Sequence, residues 1–180
     1  MANSCILQLA LLLCFSTTVI SINYDLLQFH QKSSNVACRT LLLQLNSSCM
    51  ITKDFQAPKE IQQPQQLQKE KAVLIIQRMA LKIFDIFTRN FSSTGWNETI
   101  VENLQEKLFW QMNRLETALK EGNITWEGEA VPKWRLEAYY SRIVQYLKAQ
   151  SYSRCAWTVV QREILRNISF LNRLTDCLQN

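Results

Sequence analysis

Few residues of the chain have side chains that could carry out catalysis or hold a metal ion. Only one of the 180 residues is a histidine, His30, so a zinc site with two histidine ligands is excluded. No Ser-x-Gly sequence lies near His30, and a hydrolase mechanism is therefore poorly supported. The three glycines, Gly95, Gly122 and Gly128, are too far apart for a phosphate-binding loop. We therefore predict a protein that is not an enzyme and that binds neither a metal nor a cofactor.

The chain begins with a segment typical of a secretory signal peptide. Its first 21 residues contain no Lys, Arg, Asp or Glu, and the apolar run from Ile6 to Phe15 has about the length of a signal-peptide core. Ser21 offers a small residue for cleavage, with Val19 two residues before it. The apolar run is too short to span a membrane. We predict a signal peptide at 1–21, a secreted helical domain at 22–180 and no insertion into the membrane.

Secretion is also indicated by a high number of glycosylation sequons. The chain contains five Asn-x-Ser/Thr sequences, whereas about two are expected by chance from its content of Asn, Ser and Thr. Such asparagines can carry glycans on the surface of secreted proteins. The candidate acceptors are Asn46, Asn90, Asn97, Asn123 and Asn167.

Four cysteines remain when the predicted signal peptide is removed: Cys38, Cys49, Cys155 and Cys177. No two of them lie within four residues of each other, which disfavours a metal or redox site. An even number of cysteines in a secreted chain predicts at least one disulfide. Four cysteines allow three pairings, and their spacing does not choose between them.

The pattern of apolar residues predicts an all-α protein. Glycine and proline together make up only six of the 180 residues, too few for the frequent turns of a β-sandwich or barrel. Apolar residues instead recur mostly at intervals of three and four, the spacing that places them on one face of a helix. Five segments share this pattern: 23–45, 69–90, 97–120, 132–150 and 155–178.

The lengths of the connections predict how these helices are arranged. The last three connections are short, which makes the helices that they join antiparallel neighbours. The first connection, 46–68, is long enough to run the length of a bundle, so the first two helices can point in the same direction. We therefore expect a five-helix up-up-down-down bundle of the cytokine type, with a long first crossover loop.

The charge and the aromatic residues leave two functions open for such a bundle. The net charge of +5 is modest and suits an acidic protein surface or a sulfated matrix. No run of Lys and Arg typical of proteins that bind nucleic acids is present. The chain could be a cytokine that binds a receptor, or a secreted carrier of lipids or small hydrophobic ligands. The carrier would use the aromatic residues Phe84, Phe87, Trp110 and Tyr140.

Several long sequence words favour the cytokine. They are FSSTGWNETIVENL at 91–104, YLKA at 146–149 and CAWTVVQREILRN at 155–167, together with the pair Tyr139-Tyr140. By these words, in this order, the chain resembles the type I interferon family over essentially its whole length. The resemblance implies a secreted antiviral, antiproliferative and immunomodulatory cytokine that has no catalytic activity.

The resemblance also implies where receptors bind. In that family a high-affinity receptor chain binds the first helix, the first loop and the last helix, and a second chain binds the opposite face. Bringing the two chains together triggers signalling. Lys53 stands where the family usually has Arg, Gln161 where a basic residue is common, and Glu137 where a basic residue is usual on the fourth helix. The residues expected to contact the high-affinity chain are Leu45, Lys53, Phe55, Gln161, Arg162, Leu165, Arg166 and Ser169.

The bundle implied by the resemblance also predicts one disulfide. Its first and last helices are antiparallel, so Cys49, just after the first helix, lies near Cys155 at the start of the last. Counting along the helices places Cys38 level with residue 161, which leaves Cys177 roughly 24 Å away. That distance is beyond the reach of a disulfide. We predict the bond Cys49–Cys155, which is the family's bond, and free thiols at the other two cysteines.

Overall fold

Helices form most of the part of the chain that the structure describes. The computed structural model describes residues 21–46, 49–64, 67–126 and 133–179, and within them it contains six α-helices and no β-strand. The five long helices agree with the prediction, whereas the one-turn helix Lys59–Gln62 in the long loop was not predicted. Residues 1–20 of the predicted signal peptide, and the predicted helix start at residue 132, lie outside the described residues. The helices are α1 Tyr24–Gln44, α2 Lys59–Gln62, α3 Lys69–Phe87, α4 Glu98–Glu121, α5 Lys133–Ala149 and α6 Arg154–Asp176, with 3-10 turns at Ser92–Thr94 and Cys177–Gln179.

Three of the long helices begin at a side chain that caps the free N–H groups of the first turn. The N–H groups of Leu26 and Thr99 donate to the Oδ1 atoms of Asn23 and Asn97, at 2.9 and 3.0 Å. Ser153 Oγ accepts a hydrogen bond in the same way from the first turn of α6, at 3.3 Å. A cap of this kind stabilises a helix by about 1 kcal/mol. The starts of α1, α4 and α6 are therefore encoded locally.

Polar contacts between α1 and α6 show that these two helices are antiparallel. Asn35 Nδ2, in the middle of α1, donates to Asn172 Oδ1 near the end of α6, at 2.9 Å. Gln161 Nε2, in the first half of α6, donates to the carbonyl of Leu42 near the end of α1, at 2.6 Å. The end of α1 therefore lies beside the first half of α6, as predicted.

Two further contacts give the directions of α3 and α4. The hydroxyl of Tyr24, at the start of α1, donates to Glu70 at the start of α3, at 3.1 Å, so α1 and α3 point in the same direction. Gln105 Nε2 in the first half of α4 donates to the carbonyl of Phe87 at the end of α3, at 2.7 Å, so these helices are antiparallel. The predicted all-α bundle, with two helices up and two down, is confirmed. The helix α5 packs beside α3 and α6.

The register of α1 against α6 differs from the sequence estimate. Gln161 lies beside Leu42 and Leu45, whose carbonyls it contacts at 2.6 and 2.8 Å, and not beside Cys38. The helix ends at Gln44, and the backbone of Leu45 is extended. An extended residue advances roughly 3.3 Å, whereas a helical residue advances 1.5 Å. The end of α1 therefore lies farther from Cys155 than the sequence estimate places it, because that estimate counted helical residues alone.

An aromatic cluster ties the turn between α3 and α4 to α6. The fully buried ring of Trp157 lies 5.9 Å from Phe87 and 5.5 Å from Trp96, between ring centroids. Trp157 Nε1 also donates to the carbonyl of Asn90 at 2.9 Å. Aromatic pairs at these separations stabilise a core beyond their burial alone.

The aromatic residues considered for a ligand carrier do not form one binding surface. Phe87 and Tyr140 are buried in the core, whereas Trp110 on the outer side of α4 is 51% exposed. Phe84 is half-buried against the core. These side chains support the packing of the bundle, and nothing in their arrangement favours a hydrophobic ligand.

Charged side chains join α5 to α3. The carboxylate of Glu137 accepts from Lys82 Nζ at 2.6 Å and also forms an ion pair with Arg78. Burial by itself would raise the pKa of Glu137, but the hydrogen bonds and the positive charges of Lys82 and Arg78 lower it below its usual value. Glu137, at a position where the resemblance implies a basic residue, is therefore neutralised within the protein.

We expect Glu137→Gln to destabilise the protein by about 1 kcal/mol at pH 7, because the substitution leaves Arg78 and Lys82 without a counter-charge. The folded-state pKa of Glu137 is lowered, so its contribution is fully present above the pKa of the unfolded state, about 4.3, and is lost as the pH falls through the folded pKa. Urea unfolding of both proteins between pH 3 and 7 tests this. A gap in the free energy of unfolding that did not shrink below about pH 4 would contradict the assignment.

Candidate functional site

The α1–α2 loop, residues 45–58, is fastened covalently to the start of α6. A disulfide joins Cys49 to Cys155, the predicted pair, with the Cα atoms 5.2 Å apart. Cys38 and Cys177 are free and buried. Burial raises the pKa of the Cys38 thiol to about 12, so it remains protonated and unreactive at neutral pH.

Two arginines hold the loop by its backbone. Arg162 of α6 donates from Nη1 to the carbonyl of Ile51 at 3.2 Å, and from Nη2 to the carbonyl of Cys49. Arg142 of α5 donates from Nε and Nη2 to the carbonyls of Phe55 and Gln56, both at 3.0 Å. The loop is thus fixed on one side by α6 and on the other by α5.

Three residues expected to contact the receptor are instead buried. Leu45 is 2% exposed, Phe55 1% and Gln161 3%. Gln161 Nε2 donates to the carbonyls of Leu42 and Leu45 at the end of α1, and the Leu42 carbonyl also accepts from the N–H of Leu45 at 3.3 Å. Leu45, Phe55 and Gln161 therefore expose little surface to a partner, and within the protein they pack beneath the loop.

The other expected contact residues lie at the surface. Lys53, Arg162 and Ser169 are exposed, and Leu165 and Arg166 are half-buried. The structure therefore brings part of the predicted set together along one side of α6 and the adjoining loop. In this set, Arg162 already uses its guanidinium within the protein, as described above.

The guanidinium of Arg166 is restrained on several sides. Its Nη1 lies 3.6 Å from the buried carboxylate of Glu163 and 3.9 Å from Asp54 of the loop. The same group lies over the ring of Phe170, 5.3 Å from its centroid. A side chain held in this way loses little conformational entropy when it binds a partner.

Sequence reasoning missed two apolar residues of this site. Met50 is 92% exposed and Ile51 57% exposed, directly after the disulfide. Exposed apolar side chains beside an arginine are typical of the centre of protein interfaces. The available signal was their position next to Cys49, in a loop with few other apolar residues. We call the surface formed by Met50, Ile51, Lys53, Leu165, Arg166 and Ser169 the α6 face.

A buried polar cluster lies between α5 and α6, beneath the α6 face. The Tyr139 hydroxyl donates to the carboxylate of Glu163, and Tyr140 donates to Asn167 Oδ1 at 2.6 Å. Asn167 Nδ2 donates to the Tyr139 oxygen at 2.6 Å and to the carbonyl of Glu163 at 2.8 Å. Burial raises the pKa of both tyrosines well above the usual value, so both hydroxyls keep their protons.

This cluster contradicts the expectation of a glycan on Asn167. The residue is fully buried, and both protons of Nδ2 are used in hydrogen bonds. A glycan is attached to this nitrogen and would therefore break the cluster. The other four sequon asparagines, Asn46, Asn90, Asn97 and Asn123, are exposed.

The comparison with known proteins agrees with this fold. The family profile described as interferon alpha/beta domain matches residues 27–178. The chain belongs to the interferon alpha/beta family. It is 56% identical to interferon beta of Equus caballus over 97% of each chain, and 52% identical to interferon beta of Homo sapiens over the full length of both. Interferon beta of the echidna Tachyglossus aculeatus aculeatus is 32% identical over 99% of this chain and 100% of its own.

Family membership determines the class of function. Interferons are cytokines and not enzymes, which is consistent with the lack of catalytic residue patterns in the sequence. Within the part of the chain that the structure describes, no helix is both long and apolar enough to cross a membrane.

We expect Asn167 to carry no glycan when the protein is secreted from mammalian cells, because its side chain lies inside the bundle. The exposed Asn97 offers its Nδ2 for glycosylation, since its Oδ1 forms the cap of α4. Mass spectrometry of tryptic glycopeptides measures the occupancy of each site. Ser169→Ala, which removes the sequon, serves as the control and should leave the glycan mass unchanged. A glycan found on Asn167 of the folded, secreted protein would refute the buried cluster.

Proposed function

We propose that this chain is a secreted interferon that binds two receptor chains at once, through opposite faces of the bundle. Joining these chains would start antiviral, antiproliferative and immunomodulatory signalling. Membership of the interferon alpha/beta family supports the cytokine function. The signal-peptide pattern at 1–21 and the four exposed sequon asparagines support secretion.

We assign the high-affinity receptor chain to the α6 face. The observation that carries this assignment is the exposure of Met50 and Ile51 on a loop that is fastened to α6 by the disulfide. Lone apolar side chains are common on protein surfaces, but Met50 and Ile51 are exposed in succession on a loop that also brings Asp54 within 3.9 Å of Arg166. Such a surface suits a partner with an apolar pocket and a nearby carboxylate, which Arg166 can bind with two hydrogen bonds.

We assign the second receptor chain to the opposite side, formed by α3, α4 and α5. Lys82 and Arg89 lie there among Asp85 and Glu137, so the charge on this surface is mixed. A mixed, partly neutralised surface favours weaker binding than the α6 face.

Binding of each purified receptor ectodomain by surface plasmon resonance tests the two assignments separately. We expect Arg166→Ala to weaken binding of the high-affinity chain by about 2 kcal/mol, roughly 30-fold in Kd, as for an interface hot spot. The same variant should bind the second chain like the wild type, because Arg166 lies on the other side of the bundle. Lys120→Ala, which removes an equal charge from the exposed end of α4 and lies outside the α6 face, is the matched control and should leave the Kd of the high-affinity chain unchanged.

The outcomes separate the function from the assignment of faces. If the wild-type protein binds neither ectodomain and induces no antiviral response in cells of its own species, the receptor function is wrong. If it binds both but Arg166→Ala has no effect on either, the function stands and the assignment of the α6 face is wrong.

A further inference from the structure

Arg162 contacts the backbone on both sides of the most exposed apolar residue of the α6 face. Its two terminal nitrogens donate to the carbonyls of Cys49 and Ile51, which flank Met50. We propose that Arg162 is a positioning residue of the receptor-binding face, which holds this backbone so that the Met50 side chain points to the partner. The inference rests on the proposed receptor binding, and it assigns to Arg162 a role other than direct contact with the receptor.

The geometry of the guanidinium supports this role. Arginine carries five N–H donors in a rigid planar fork, so one side chain can bond two separate acceptors in a fixed arrangement. Here the two acceptors belong to residues 49 and 51, and the intervening Met50 is 92% exposed. Burial of an exposed apolar side chain against the protein lowers the free energy, so the hydrophobic effect favours a conformation in which Met50 folds back onto the surface. Two charge-assisted hydrogen bonds to its neighbours oppose that movement.

The other attachments of the loop fix different residues from those that Arg162 contacts or act through a different bond. The disulfide fixes Cys49. Arg142 holds the backbone at Phe55, whose ring is buried, and at Gln56. The Arg162 contacts act on the backbone on both sides of the exposed apolar side chain, at Cys49 and Ile51. Without them, the chain between the disulfide and Phe55 would lose a fixed conformation, and ordering it again would reduce the free energy of binding.

A substitution to lysine distinguishes positioning from direct electrostatic contact. Lysine keeps the positive charge at the surface, but its ammonium is a point charge on a flexible stem and cannot reproduce the planar fork. If Arg162 acts by attracting an acidic receptor surface, Arg162→Lys preserves most of the binding. If it acts by holding two carbonyls, the same substitution weakens binding although no charge is lost.

Two measurements test the proposal. Hydrogen exchange of the free protein should show faster exchange of the amides of residues 50–54 in Arg162→Lys than in the wild type. Receptor binding should follow a double-mutant cycle with Met50→Ala. We expect Arg162→Lys alone to raise the Kd for the high-affinity chain by about tenfold, and by less than about threefold in the Met50→Ala background, because there the anchor is already absent. Arg173→Lys is the matched control: it is an exposed arginine of the same helix whose guanidinium lies over Phe170, and it should change neither result.

Each alternative result overturns the inference. Equal effects of Arg162→Lys in both backgrounds, or no effect of Met50→Ala on binding, would show that Arg162 does not act through Met50. Unchanged hydrogen exchange in residues 50–54 would show that the contacts do not hold the loop, and this result is independent of any receptor. If the wild-type protein binds no receptor chain, the proposed function is wrong, and with it the part of the inference that concerns binding. Hydrogen exchange of residues 50–54 then still decides whether Arg162 holds the loop.

Discussion

The attachment of the α1–α2 loop to α6 is the constraint on which the candidate site depends. The described residues of this loop, 45–46 and 49–58, form no helix or strand, so contacts with the helices must fix their conformation. The disulfide Cys49–Cys155 and the arginines 142 and 162 provide them, and each arginine bonds two successive or nearly successive carbonyls. Because the backbone is held in this way, Met50 and Ile51 can remain exposed and the loop can still be rigid.

Helix α6 contributes side chains to both the core and the surface, because the direction of the side chains repeats every 3.6 residues along a helix. Trp157, Ile164, Ile168 and Leu171 lie in the core, whereas Arg162, Arg166 and Ser169 lie on the outer side. At the boundary, Glu163 is nearly buried and contacts both Tyr139 inside and Arg166 outside. A buried carboxylate needs such partners, since burying an unpaired charge is costly. The packing of α5 on α6 and the position of Arg166 are therefore linked through one side chain.

Helix α5 has contacts on both the α6 face and the opposite side of the bundle. Through Arg142 it holds the loop of the α6 face, and through Glu137 it pairs with Arg78 and Lys82 of α3 on the opposite side. Glu137 therefore acts within the protein as a contact between helices.

The sequence by itself determined the five long helices, the order of the bundle and the family. These features depend on short-range periodicity, on the lengths of the connections and on long sequence words such as 155–167. The disulfide followed once the bundle was assumed. Only the tertiary structure decided the individual roles at the site: it buried Phe55, Gln161 and Asn167, turned Arg162 toward the loop and exposed Met50. The physical reason is that a loop residue has no periodicity to indicate its direction, and its contacts come from helices 87 to 113 residues away along the chain.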